Sequence, residues 1–245
     1  MEGLLKQIAQ NTDSKTVYSI FASGEGAKIT TRFKNPIMLD PSKEYVMALT
    51  GLQSYYSFPN IAERNNKFII SINSEWKTLI FPKGCYGLLD INSKLQELLP
   101  VKEAVTLEAN DTTLKCRMII QKGFKVRFPK TGGLSDLLGF TPKDYDAGII
   151  EGTQIVNINQ VNSILVHNDI VSNSYINGEK LPVVYTFFPS SLPGEKIVEK
   201  PLNLIYLPIT IKTLSVIHTY LTDQDNNPLD LQGEKLSVQY DIKIQ

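Results

Sequence analysis

The C-terminal segment constrains the fold most. Leu236, Val238, Tyr240, Ile242 and Ile244 occupy every second position, and Ser237, Gln239, Asp241 and Lys243 fill the gaps. Successive side chains of a strand point to opposite faces, whereas a helix would scatter these residues around its circumference. The segment is therefore predicted to be a half-buried antiparallel strand with one wet face. Phe124, Val126 and Phe128 against Lys125 and Arg127 repeat the pattern. Further strands are expected at 29–33, 45–52, 68–72, 79–81, 114–120, 155–158, 164–170, 183–188, 202–207 and 214–221. Turn-forming clusters such as Asn65-Asn66, Asn110-Asp111, Asn177-Gly178 and Asp225-Asn226-Asn227-Pro228 separate them.

Many short strands with frequent turns indicate a sandwich or a barrel. The 245 residues suit one large β domain over 16–245, and two eight-stranded sandwiches in tandem would not fit. Two helical islands interrupt the strands. Asp90 is expected to cap a helix whose stripe is Ile91, Leu95, Leu98 and Leu99, stopped by Pro100 and packed over the end of the sandwich. A short second helix is expected at 134–140, entered through Gly132-Gly133. Ahead of the domain, residues 1–15 read as an arm with Leu4, Leu5 and Ile8 at helical spacing, followed by the polar run 11–15.

Charge bounds the partners. With 25 basic and 25 acidic residues the net charge is zero, so no field steers the chain onto phosphate backbones, and direct nucleic-acid binding is not expected. No apolar run approaches membrane-spanning length, so no membrane partner is expected. The start Met1-Glu2-Gly3 lacks the basic and apolar regions of a signal peptide, and Cys85 and Cys116 are the only cysteines. Synthesis in a reducing compartment is the simpler expectation.

Catalytic chemistry finds little to use. A Ser or Cys nucleophile needs a base, and His167 and His218 are the only histidines, both inside predicted strands. His218 shares a predicted face with Leu214, Val216 and Tyr220, which points to a packed core histidine. Cys116 alternates in register with Leu114, Met118 and Ile120, the pattern of a buried thiol acting as a small apolar side chain. Asp223, Asp225, Asn227 and Glu234 match four positions of a calcium loop, but Pro228 stands where the sharp turn needs glycine. Neither a catalytic set, a cofactor cradle nor a metal site is expected. The aromatic runs Tyr55-Tyr56-Ser57-Phe58 and Tyr185-Thr186-Phe187-Phe188 are read as core or subunit contacts.

A succession of segments carries a family resemblance. It begins with Ser54-Tyr55-Tyr56-Ser57-Phe58-Pro59-Asn60-Ile61 and Asn65-Asn66-Lys67-Phe68, then Phe81-Pro82-Lys83-Gly84-Cys85-Tyr86. Leu134-Ser135-Asp136-Leu137-Leu138-Gly139-Phe140 and Val161-Asn162-Ser163-Ile164 follow, then 193–199 and Leu204-Ile205-Tyr206-Leu207-Pro208-Ile209. In order and spacing the chain from about Asp40 to Gln245 resembles the minor capsid, or penton, proteins of Polinton (Maverick) elements and adintoviruses. The resemblance implies an all-β single jelly-roll, with two antiparallel sheets of about eight main strands and short helices in its loops. It also implies a virion protein that forms homopentamers at capsid vertices beside trimers of a double jelly-roll major capsid protein. The arm bearing Leu4, Leu5 and Ile8 lies outside the resemblance and is read from its apolar spacing as a candidate contact between subunits. Because jelly-rolls also serve as lectins, a receptor- or glycan-binding module is the alternative.

Overall fold

The computed structural model describes residues 16–245, and the predicted arm with Leu4, Leu5 and Ile8 lies outside them. Within this span the chain forms two compact units, one from 16–56 with 161–245 and the other from 57–160. A single domain over 16–245 was the expectation. The second unit has a hydrophobic core of its own, which strand periodicity alone does not reveal.

In the first unit β1 (Thr16–Glu25), β18 (Lys235–Ile244), β3 (Tyr45–Tyr55) and β15 (Lys196–Glu199) lie side by side in that order, with β16 (Leu207–Pro208) also on β3. A second sheet runs β14 (Val183–Phe187), β11 (Ile164–Asn168), β17 (Thr213–Thr222) and β2 (Lys28–Met38). Every pairing in both sheets is antiparallel. The chain shuttles between the sheets, an all-β arrangement consistent with a jelly-roll. A small hairpin of β12 (Ser174–Ile176) and β13 (Glu179–Leu181) turns through Asn177-Gly178, both at positive φ, as a tight two-residue connection requires.

Burial explains the pairing. On β18 the residues Leu236, Val238, Tyr240 and Ile242 are buried and their neighbours face outward, the predicted alternation. All five residues of β11 are buried, the apolar Ile164, Leu165 and Val166 together with the polar His167 and Asn168, as suits a strand paired on both sides. A hydrogen bond of 2.9 Å between Thr219 Oγ1 on β17 and the Tyr240 hydroxyl on β18 ties the two sheets through the core. At that depth burial pushes the Tyr240 phenol up to about 12, so it remains a neutral partner.

The second unit carries the four-stranded sheet β5 (Glu75–Ile80), β4 (Lys67–Ile72), β8 (Lys125–Arg127) and β9 (Asp144–Tyr145). Its three-stranded sheet is β10 (Gly148–Glu151), β7 (Lys115–Ile120) and β6 (Val105–Asn110). Helix α1 (Leu88–Leu98) inserts Ile91 and Leu95 into this unit's core. Asp90 sits inside the first turn, not before it, and its carboxylate accepts the Gly87 N–H at 2.9 Å. The short α2 (Ser135–Leu138) ends on Gly139, at φ 76°, where an added Cβ would lie 2.3 Å from the Gln154 carbonyl oxygen.

Two predicted strands are absent. Val156 and Ile158 pack against the second core, but the Val156 N–H goes to Leu114 and the Asn157 N–H to Leu137, so no single neighbour builds a ladder. From Glu199 to Leu207 the chain takes eight steps while β3 takes five from Leu52 to Met47. Residues 200–206 therefore bulge from the sheet edge as a loop, and the apolar alternation there does not mark burial.

Candidate assembly surface

Of the two histidines and two cysteines, His167 and Cys116 are fully buried, whereas His218 is half exposed and Cys85 partly exposed. His167 on β11 is fully buried and stacks on Tyr220 of the paired strand at 4.3 Å between ring centres. Its Nε2 lies 2.9 Å from Thr222 Oγ1, whose hydroxyl donates onward to the Asp223 carbonyl. The imidazole is therefore the Nε2–H donor, and its Nδ1 lone pair meets no partner among the described residues. Desolvation pushes the ring down to about 4.

His218 departs from expectation. A register shift between Leu214 and Val216 turns Leu214 inward and leaves His218, half exposed, on the opposite face with Tyr220. Its backbone N–H donates to Asp169 Oδ1 at 2.9 Å, and its Nδ1 lies 3.0 Å from Thr30 Oγ1.

Cys116 is buried in the second core, where its thiol is pushed up to about 12 by desolvation and stays protonated. Asp223 directs its carboxylate to the backbone N–H groups of Asp225 and Asn227 and to the Asn227 side chain, at 2.8 to 3.0 Å. It thus closes its own turn. Among the described residues no three His, Cys, Asp or Glu side chains gather as a metal site.

Aromatics divide by depth. Tyr56, Phe58 and Phe187 are buried, and Tyr55 and Phe188 face solvent. Trp76 on β5 is partly exposed, with the Arg127 guanidinium 4.0 Å from the ring centre and paired to both carboxylate oxygens of Asp144 at 2.6 and 2.7 Å.

The exposed apolar residues are informative in the first unit. On β1, Val17 and Phe21 point outward while Ile20 and Ala22 point into the core. From Thr16 to Gly24 this edge strand contains no charge and no proline. Other long edges are guarded: β2 carries Lys28, Arg32, Lys34 and Pro36, and β5 carries Glu75 and Lys77. At the far edge of the same sheet stand Val198 on β15 and Leu202, Leu204 and Ile205 in the bulged loop, with Leu202 99% exposed. Pro201 and Pro208 flank that loop, and Tyr206 anchors it beneath Lys243, 3.8 Å from the ring centre.

Neither flank was singled out from sequence. The signal for β1 was its uncharged alternation over Thr16–Gly24, and the loop was concealed by a strand-like pattern. The resemblance segments fall largely at the second core: Ile61, Phe68, Phe81, Leu134, Leu137, Leu138 and Phe140 are all buried there.

No protein-family profile matches the sequence, and no curated protein matches it. Among solved structures the chain is similar to the crystal structure of the selenomethionine-labelled mavirus penton protein, with 11% identity and a TM-score of 0.50. The match covers 93% of this chain and 100% of that one. At this identity the likeness is one of fold, and the fold is penton-like.

Proposed function

We propose that this chain is a structural capsid subunit of the penton type, a non-enzymatic virion protein of Polinton-like elements or adintoviruses. The observation that carries the reading is the fold shared with the mavirus penton protein over nearly the whole chain. In this reading β1, β2, β3, β11, β14, β15 with β16, β17 and β18 are the eight strands of a single jelly-roll, and 57–160 is an elaboration between β3 and β11. Five copies form a vertex capsomer beside trimers of a double jelly-roll major capsid protein, and Leu4, Leu5 and Ile8 of the arm bind between subunits.

Burial withholds His167 and Cys116 from service as a general base or a nucleophile, which must reach substrate. Native mass spectrometry of the purified chain, alone and co-expressed with a double jelly-roll major capsid protein, tests the reading. Pentamers alone or in the shell are the expected result, and a monomer that never joins the major capsid protein would overturn it.

A further inference from the structure

β1 is an anomaly for a protein alone in water. It is ten residues long, lies at a sheet edge among the described residues, and carries exposed Val17 and Phe21 with no charge before Glu25. Edges of that kind invite association, and sheet proteins protect them with charge, proline or brevity. The neighbouring edge β2 has those devices and β1 does not.

The opposite edge of the same sheet has a different character. β15 and β16 are short, and Pro201 and Pro208 bar strand addition over the interval between them. What this edge offers is side chains: Leu202 almost wholly in solvent, with Leu204, Ile205 and Val198 beside it in sequence. The loop is held at one end by the pairing of Glu199 with Leu52 and at the other by Tyr206 under Lys243. A restrained loop loses little freedom when its leucine is covered.

We infer that the Val17–Phe21 face of β1 in one copy receives Leu202, Leu204 and Ile205 of the next copy, forming a head-to-tail seam. The occupant is a second copy because the two flanks differ and lie at the two ends of one sheet. A two-fold dimer uses one patch twice and would leave the other bare, whereas a head-to-tail contact uses each patch once and closes into a ring when the rotation allows. This inference rests on the pentamer reading and adds the residues of its contact.

Cysteine pairing tests it in the full chain, with Cys85→Ser as background. Phe21→Cys together with Leu202→Cys is expected to give disulfide-linked multimers under a glutathione redox buffer, and either substitution alone should not. Leu202→Asp is expected to raise the concentration for half-assembly by ~30-fold or more, the effect of losing a central contact residue. Its melting midpoint should stay at the wild-type value, because the side chain is exposed in the single copy.

Pentamers that survive both Leu202→Asp and Phe21→Lys, with no cross-link in the double-cysteine variant, overturn the seam and leave the pentamer reading standing. Cross-links confined to single chains also overturn the seam, by showing the loop and β1 joined within one copy. A wild type that is monomeric both alone and with the major capsid protein overturns seam and pentamer together.

Discussion

The imidazole of His167 is closed in by Tyr220 on its face and Thr222 at its Nε2, and among the described residues no acceptor faces Nδ1 to receive a hydrogen bond if that nitrogen were protonated. Folding therefore holds the ring neutral down to about 4, against 6.5 for a free histidine. The unfolded chain binds a proton at that ring as pH falls through 6.5 and the folded chain does not until about 4, so stability drops across that window. Above 6.5 both states are neutral and the effect vanishes. We expect urea titrations between pH 7.5 and pH 4 to show a stability gap between His167→Asn and wild type that shifts in the variant's favour on acidification. A gap independent of pH would refute the account. The sequence placed His167 in a strand correctly but put His218 on the wrong face. A register shift at Leu214 and Val216 reverses sidedness, and such shifts are set by the partner strand, which local alternation does not report.

Helix α1 belongs to the second unit because its stripe meets that unit's apolar residues, with Ile91 and Leu95 fully buried there. Leu95→Ala should cost about 2 to 5 kcal/mol, as for other large-to-small changes in a packed core. Trp76 is the only tryptophan and lies in the same unit, so its fluorescence midpoint in denaturant is the direct measurement. An unchanged midpoint would mean that the helix is not part of that core. The helix was legible from its spacing and from Pro100, and β18 from strict alternation, since each carries one buried face. What it packs against was not legible, because contacts between distant segments leave no local period. The loop at 200–206 shows the converse error. Leu202, Leu204 and Tyr206 alternate like a strand, yet the extra steps between its pairings with β3 push it away from any partner.

Taken whole, the molecule has balanced charge and an apolar seam as its proposed means of assembly. Ring assembly should therefore persist in about 1 M salt, where the screening length is about 3 Å and exposed ion pairs contribute little. Dissociation of pentamers between low and high salt, followed by light scattering, would point to an electrostatic contact instead. Sheet order was beyond reach of sequence, because β1 finds its partner in β18 at the other end of the chain. The second unit escaped for a related reason: its strands alternate as those of the first unit do. Its two ends are clasped together within that unit. Asn60 donates to the Ile158 carbonyl at 3.1 Å, and Arg64 donates to Gln160 at 3.2 Å. An excursion whose first and last residues are tied to each other behaves as a cassette: an engineer can graft a foreign module there without rethreading the strands that bracket it.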